Sequence, residues 1–271
     1  MTAQEAINTL EDAGKADDAC FPLLEAAIAC ALHDQPRRDA SVVRRLVEDA
    51  AKRLRERVEE ETPDDALTET LAGDFRLNGD LLDAASEHAA DIITISETRR
   101  GWSAALVILY LEAARRAGLE AAAVDFPGHV LLRVETPDGP VALDPFSQGR
   151  LVLPSELTRR ALHAGLTPHV ADRLDLLMAP ISERQALLRL QNLIFAYAIQ
   201  RGDYAQAERS ALRRALLDPT DHRPWLDVAT AREKQGALQG AMAALSQARD
   251  MNAETELASA FNLHKLRLRL N

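Results

Sequence analysis

Thr98-Arg-Arg-Gly101-Trp-Ser103-Ala-Ala-Leu-Val-Ile-Leu-Tyr110-Leu-Glu-Ala-Ala-Arg-Arg-Ala-Gly118-Leu119 is followed by Val124-Asp-Phe-Pro-Gly-His129-Val-Leu-Leu-Arg-Val134 and then by Val141-Ala-Leu-Asp144-Pro-Phe146. From Ser103 to Arg116 the apolar positions Leu106, Val107, Leu109, Tyr110, Ala113 and Ala114 recur at the spacing of an amphipathic helix with a broad buried face. Arg115 and Arg116 in its last turn complement the carbonyl end of the helix dipole, and Gly118 is placed to act as a C-cap. Two short β-type runs come next, Val130–Val134 and Val141–Leu143, joined by the turn chemistry of Thr136-Pro-Asp-Gly-Pro140. A buried helix followed by a hairpin brings the helix start, His129 and Asp144 within reach of one another.

Arg99-Arg100-Gly101, the run Tyr110-Leu-Glu-Ala-Ala-Arg-Arg-Ala-Gly-Leu119, Phe126-Pro-Gly-His129 and Leu143-Asp-Pro-Phe146 together resemble the SirB-type family. The resemblance is loose over about residues 20–150 and tight over 98–150. It implies a transglutaminase-like, papain-like domain followed by tetratricopeptide repeats. In active members of that wider superfamily the helix begins Gly-x-Cys, and the cysteine works with a His and an Asp on following strands. Carried onto this chain, the Cys slot is Ser103, the His slot is His129 and the Asp slot is Asp144. SirB-type proteins mostly lack the Cys, often with Pro there, so Ser103 matches neither pattern. The resemblance places Arg100, Gly101, Trp102, Pro127 and Gly128 around the same cleft.

Two chemistries follow for the triad positions. If Ser103 is a nucleophile, His129 is its base and Asp144 orients the imidazole, with the helix N-terminus favouring an oxyanion. The simpler role for Ser103 is to accept backbone N–H bonds at a helix start, as an N-cap or first-turn residue. A thiol is partly ionised near neutral pH, whereas a hydroxyl needs a base and an oxyanion hole built for it. The sequence therefore favours a vestigial triad. Trp102 either lines the cleft or anchors the helix, and Arg99, Arg100, Arg115 and Arg116 are expected to cap helices and form surface ion pairs.

Outward toward the N-terminus, Thr2-Ala-Gln-Glu5 has capping-box spacing and predicts a helix to Gly14. Phe21–Leu32 reads as a buried helix, and Cys20 and Cys30 are expected in that one apolar helical segment, both as packing residues. Ser41 is expected to cap a helix to about Glu60 with Val42, Val43, Leu46, Ala50 and Leu54 inward. The charge-dense run Arg53–Glu61 is its solvated end. Thr62-Pro63 breaks that helix, Asp64-Asp65 begins another toward Asp74, Phe75–Gly79 is a turn, and helical chain is expected from Asp80 to Arg99. Downstream, Leu151–Leu153 follows a turn, a helix runs from Pro154 to Ala164, Gly165–Val170 is a connector, and a helix opens near Asp172.

From Ile181 the pattern is helical and repeats. Gly202-Asp-Tyr204-Ala-Gln-Ala207 is echoed by Gly236-Ala-Leu-Gln-Gly-Ala241, and Trp225 precedes Ala241 at the tetratricopeptide spacing. In the first copy Gln191 and Phe195 stand at the Trp and small-residue positions. Glu254–Leu270, with Leu257, Phe261, Leu263, Leu266 and Leu268, is expected to close the stack.

The chain has 271 residues, 47% hydrophobic and 27% charged, with a net charge of -10, which opposes nucleic-acid and anionic-membrane binding. Two cysteines give no disulfide framework, and the start lacks the basic and apolar regions of a signal peptide. The seven histidines show no ligand spacing and there is no phosphate-binding glycine loop, so neither metal nor cofactor is expected. The sequence therefore predicts an α+β, helix-rich protein: a transglutaminase-like domain with a small antiparallel sheet over residues 1–180, then all-α repeats over 181–271. It predicts a soluble, cytoplasmic, non-catalytic interaction or regulatory protein with a protein or peptide partner. The alternative is a hydrolase or acyl-transferase acting on amide or ester bonds.

Overall fold

Local chemistry sets most of the element boundaries in the computed structural model, which describes residues 1–80 and 87–251. The Thr2–Glu5 capping box forms reciprocally and starts α1, Ala3–Lys15. Pro22 delays the next helix, so α2 spans Leu23–Asp34 rather than starting at Phe21. Cys20 consequently falls in a 3-10 turn and is exposed, while Cys30 is buried; the packing role expected for both holds only for Cys30. Helix α3, Ser41–Arg57, has Ala40 at its N-cap with no side-chain capping bond, and Asp39 accepts from the Ser41 backbone N–H at 2.8 Å. Ser41, expected as the cap, is instead the first residue of the helix. Val43, Leu46, Val47, Ala50, Ala51 and Leu54 point inward, and Val42 is only half-buried.

Pro63 occupies the first turn of α4, Pro63–Leu67, which continues as a π-helical segment over Thr68–Asp74. A two-residue strand β1, Asn78–Gly79, occupies the end of the expected turn. After a 3-10 turn at Glu87–Ala90, Asp91 caps α5, Ile92–Thr98, by accepting from Thr94 N–H at 2.7 Å. Arg99 then takes the left-handed conformation and β2, Arg100–Gly101, pairs in parallel with β1. Helix α6 spans Ser103–Ala117 and ends on Gly118 at φ 83°, as its sequence predicts.

The strands are β3, Ala121–Phe126; β4, His129–Thr136; β5, Gly139–Asp144; and β6, Arg150–Leu151. They form one antiparallel sheet in sequence order. Three short helices follow: α7, Pro154–His163; α8, Pro168–Ala171; and α9, Leu174–Leu177. Then come α10, Glu183–Arg201; α11, Tyr204–Leu217; α12, Arg223–Lys234; and α13, Leu238–Met251. The closing helix expected at Glu254–Leu270 lies outside the described residues.

The chain divides into two compact units, with boundaries after Cys20 and Arg37 and inside α2 and α10. One comprises Phe21–Ala31 and Arg38–Arg189. In it α6 packs on β3 and β4 on one side and on α3 on the other, so the helix is buried from Ala104 to Ala114. The opposite sheet face carries Val124, Phe126, Leu131 and Ala142, covered by Leu157, Ala161 and Ala171 of α7 and α8. Helix α6 is therefore the centre of a layered core, which explains why it is apolar nearly all round.

The other unit comprises Met1–Cys20, Leu32–Arg37 and the chain from Leu190. Helices α11, α12 and α13 pack in succession, and α1 packs on α11. Gly202 and Gly236, 34 residues apart, both take positive φ (73° and 80°) in the turns before α11 and α13, a conformation costly for any other residue. Ala207 and Ala241 are fully buried and Trp225 packs on the cluster around Val228.

Candidate functional site

Three elements of the sheet-bearing unit converge on one corner. Helix α6 starts there, β4 starts there after the Pro127-Gly128 turn, and β5 ends there at Asp144. Ser103 is the first residue of α6 and Trp102 its N-cap, with no side-chain capping bond. The Ser103 hydroxyl instead accepts the backbone N–H of Val130 at 3.5 Å. It does accept a backbone donor, but one on the sheet rather than in its own helix. No hydrogen bond joins Ser103 Oγ to His129.

His129 Nε2 lies 3.3 Å from Asp144 Oδ1, within ion-pair distance but not aligned for a hydrogen bond. Its ring meets Phe146 edge-on at 5.3 Å between centroids. Asp144 is buried, 1% exposed, and its carboxylate is heavily subscribed. It accepts from the backbone N–H groups of Phe146 and Ser147 and from the Ser147 hydroxyl, capping a 3-10 turn over Pro145–Ser147. Its Oδ2 also receives Arg160 Nη1 at 2.8 Å. Burial alone would raise the Asp144 pKa, but His129 and Arg160 outweigh it and hold the carboxyl well below the usual carboxylate range. Tyr110 of α6 is fully buried, and burial followed by the Asp144 charge pushes its phenol well above its ordinary range.

Around this corner, Gly79 and Gly101 are paired across β1 and β2. A Cβ on Gly79 would stand 2.5 Å from the Phe146 ring and carbonyl, so only glycine lets that strand pass so close. Gly101 is similarly pressed on Ile95. Of the other expected cleft residues, Arg100 and Gly128 are exposed, and Trp102 and Pro127 are half-buried. Arg115 and Arg116 do more than decorate a helix end. Both donate to Glu112, a carboxylate 1% exposed that also accepts the Leu24 N–H.

Arg160 is the site residue that sequence reasoning missed. Its signal was partial: Glu156 and Arg160 stand four apart on α7 and pair at 2.8 Å, but nothing in the pattern shows that the guanidinium also reaches Asp144. Among the described residues no group of three His, Cys, Asp or Glu is arranged to hold a metal ion. No described helix is long and apolar enough to cross a membrane.

The sequence pattern of the transglutaminase-like superfamily matches residues 41–192. A "UPF0162 protein" of Xylella fastidiosa (strain Temecula1) is 30% identical over 232 residues, covering 83% of this chain and 82% of that protein. A "UPF0162 protein" of Xylella fastidiosa strain 9a5c is 30% identical over 214 residues, covering 75% and 74%. No solved structure matches. The chain belongs to the transglutaminase-like superfamily.

Proposed function

We propose that this transglutaminase-like chain is a non-catalytic, cytoplasmic interaction or regulatory protein of SirB type. The observation that carries this reading is the allocation of Asp144. In a working triad the carboxylate orients the imidazole and stabilises the imidazolium that forms when the base takes up a proton. Here Arg160, at 2.8 Å, already supplies that carboxylate with a permanent cation, and two backbone N–H groups and a hydroxyl hold it in a turn. The hydroxyl of Ser103 needs a base to become a nucleophile, yet it faces a backbone donor.

In this reading the interaction surfaces are the corner around His129 and a short tetratricopeptide-like groove. The matched left-handed turns at Gly202 and Gly236 and the buried Ala207 and Ala241 support the repeat assignment. Stacked helix pairs of that kind hold peptide segments without turnover. Affinity capture with the full chain from its own cells tests the proposal. A specific protein partner retained under gentle washing is the expected result; recovery of none contradicts it.

A second reading, hydrolysis or acyl transfer at amide or ester bonds, is favoured by one observation. Ser103, His129 and Asp144 do meet at a single corner, with the side chains of Ser103 and His129 half-buried and reachable.

A further inference from the structure

On the sheet face away from α6, β5, β6, α7 and α9 enclose a cleft of about 410 Å³. That is within the usual range of roughly 300–1,000 Å³ for small-molecule sites. Its walls are almost wholly aliphatic, including Val141, Val152, Leu157, Leu174 and Met178. Leu151 and Leu153, which also line it, are 41% and 56% exposed and carry aliphatic surface out to solvent beside the cavity. Two charged residues line it. Asp175 is engaged by Arg173 through both carboxylate oxygens. Arg133 uses Nε and Nη2 on a single Glu135 oxygen, which leaves its Nη1 edge available to a further acceptor.

We propose that this cleft binds an aliphatic carboxylate, a fatty acid in chemical class, with the chain between β5, β6 and α9 and the carboxylate on the free edge of Arg133. A guanidinium edge suits a carboxylate oxygen pair, and an aliphatic chain matches walls that carry no other uncommitted polar side chain. None of the lining residues belongs to the Ser103–His129–Asp144 corner, so the proposal stands independently of the function argued for that corner.

The test uses the intact protein and a fluorescent apolar probe displaced by octanoate, decanoate and dodecanoate, below their micellar concentrations. Saturable displacement should tighten about three- to fourfold for each added methylene, as burial of aliphatic surface requires. Arg133→Gln should weaken dodecanoate severalfold and leave dodecanol unchanged. Leu153→Glu, at an exposed position that tolerates charge, should abolish binding of both with the far-ultraviolet spectrum intact. A flat chain-length series, or binding indifferent to Leu153→Glu, would overturn the proposal. A dimer of the unliganded protein that Leu153→Glu dissociates would also overturn it, since a second copy would then cover the cleft.

Discussion

Arg160 Nη1 lies 2.8 Å from Asp144 Oδ2, closer than His129 Nε2, which is 3.3 Å from Oδ1. The shortest cation contact of the buried Asp144 is therefore to an arginine on the following helix and not to the histidine of the triad positions. The corner is built as an anchor for the Pro145–Ser147 turn, with His129 at its edge. Removing Arg160 takes the closest cation from a buried carboxylate, whereas removing His129 loses an ill-aligned 3.3 Å contact and an edge-on contact with Phe146. We expect Arg160→Ala to lower stability by about 2–4 kcal/mol and His129→Ala by less than roughly 1 kcal/mol, read from urea unfolding. Equal effects would show that His129 is the structural partner.

The same cluster sets an acid limit. Arg150, and after opposing burial Arg160, pull the Glu156 pKa from 4.5 down to about 2, and Asp144 is held well below the carboxylate range. Folded values below unfolded ones mean stabilisation that is fully present above about 4.5 and is lost as pH falls toward about 2. Unfolding midpoints measured across that window should fall steadily in the wild type. In Arg160→Gln the decline should be shallower.

His33 of α2 gives a separate window with its own sign. Burial first, and then the charge of Arg213, lower its pKa from 6.5 to about 4, against the opposing pull of Asp34. The fold therefore holds the imidazole neutral, and this contribution is present above about 6.5 and lost as pH falls toward about 4. For a partly exposed ring the loss is on the order of 1 kcal/mol. His33→Gln should flatten the unfolding midpoint between those pH values; an unchanged slope would rule out His33 as the titrating group.

What the sequence made legible was chemistry that acts within a few residues. The Thr2–Glu5 capping box, the proline start at Pro154, the C-cap at Gly118 and the buried periodicity of α6 are all local. What it hid depends on partners distant in the chain. Strand β3 begins Ala121-Ala-Ala, which has little intrinsic strand preference; it is extended because it pairs with β4 from Ala121 opposite Val134. Ser103, His129 and Asp144 could be named from motifs, but the allocation of their hydrogen bonds could not. Arg160 is sixteen residues from Asp144 and Val130 twenty-seven from Ser103.

Glu112 shows the same long-range effect and is open to test. It is buried in α6 between Arg115, Arg116 and the Leu24 N–H. Glu112→Ala frees a buried backbone donor and two guanidiniums, and should cost about 3 kcal/mol by urea unfolding. Arg115 is 57% exposed, so Arg115→Ala should cost less than roughly 1 kcal/mol. A Glu112→Ala protein as stable as the wild type would contradict the anchoring role.

The most direct measurement of whether the corner is catalytic is labelling of the purified protein with a fluorophosphonate, beside Ser103→Ala and His129→Ala. We expect no labelling that depends on Ser103, because its hydroxyl faces the Val130 N–H and Asp144 is neutralised by Arg160. Labelling of the wild type that disappears in both folded variants would contradict this and establish an activated serine.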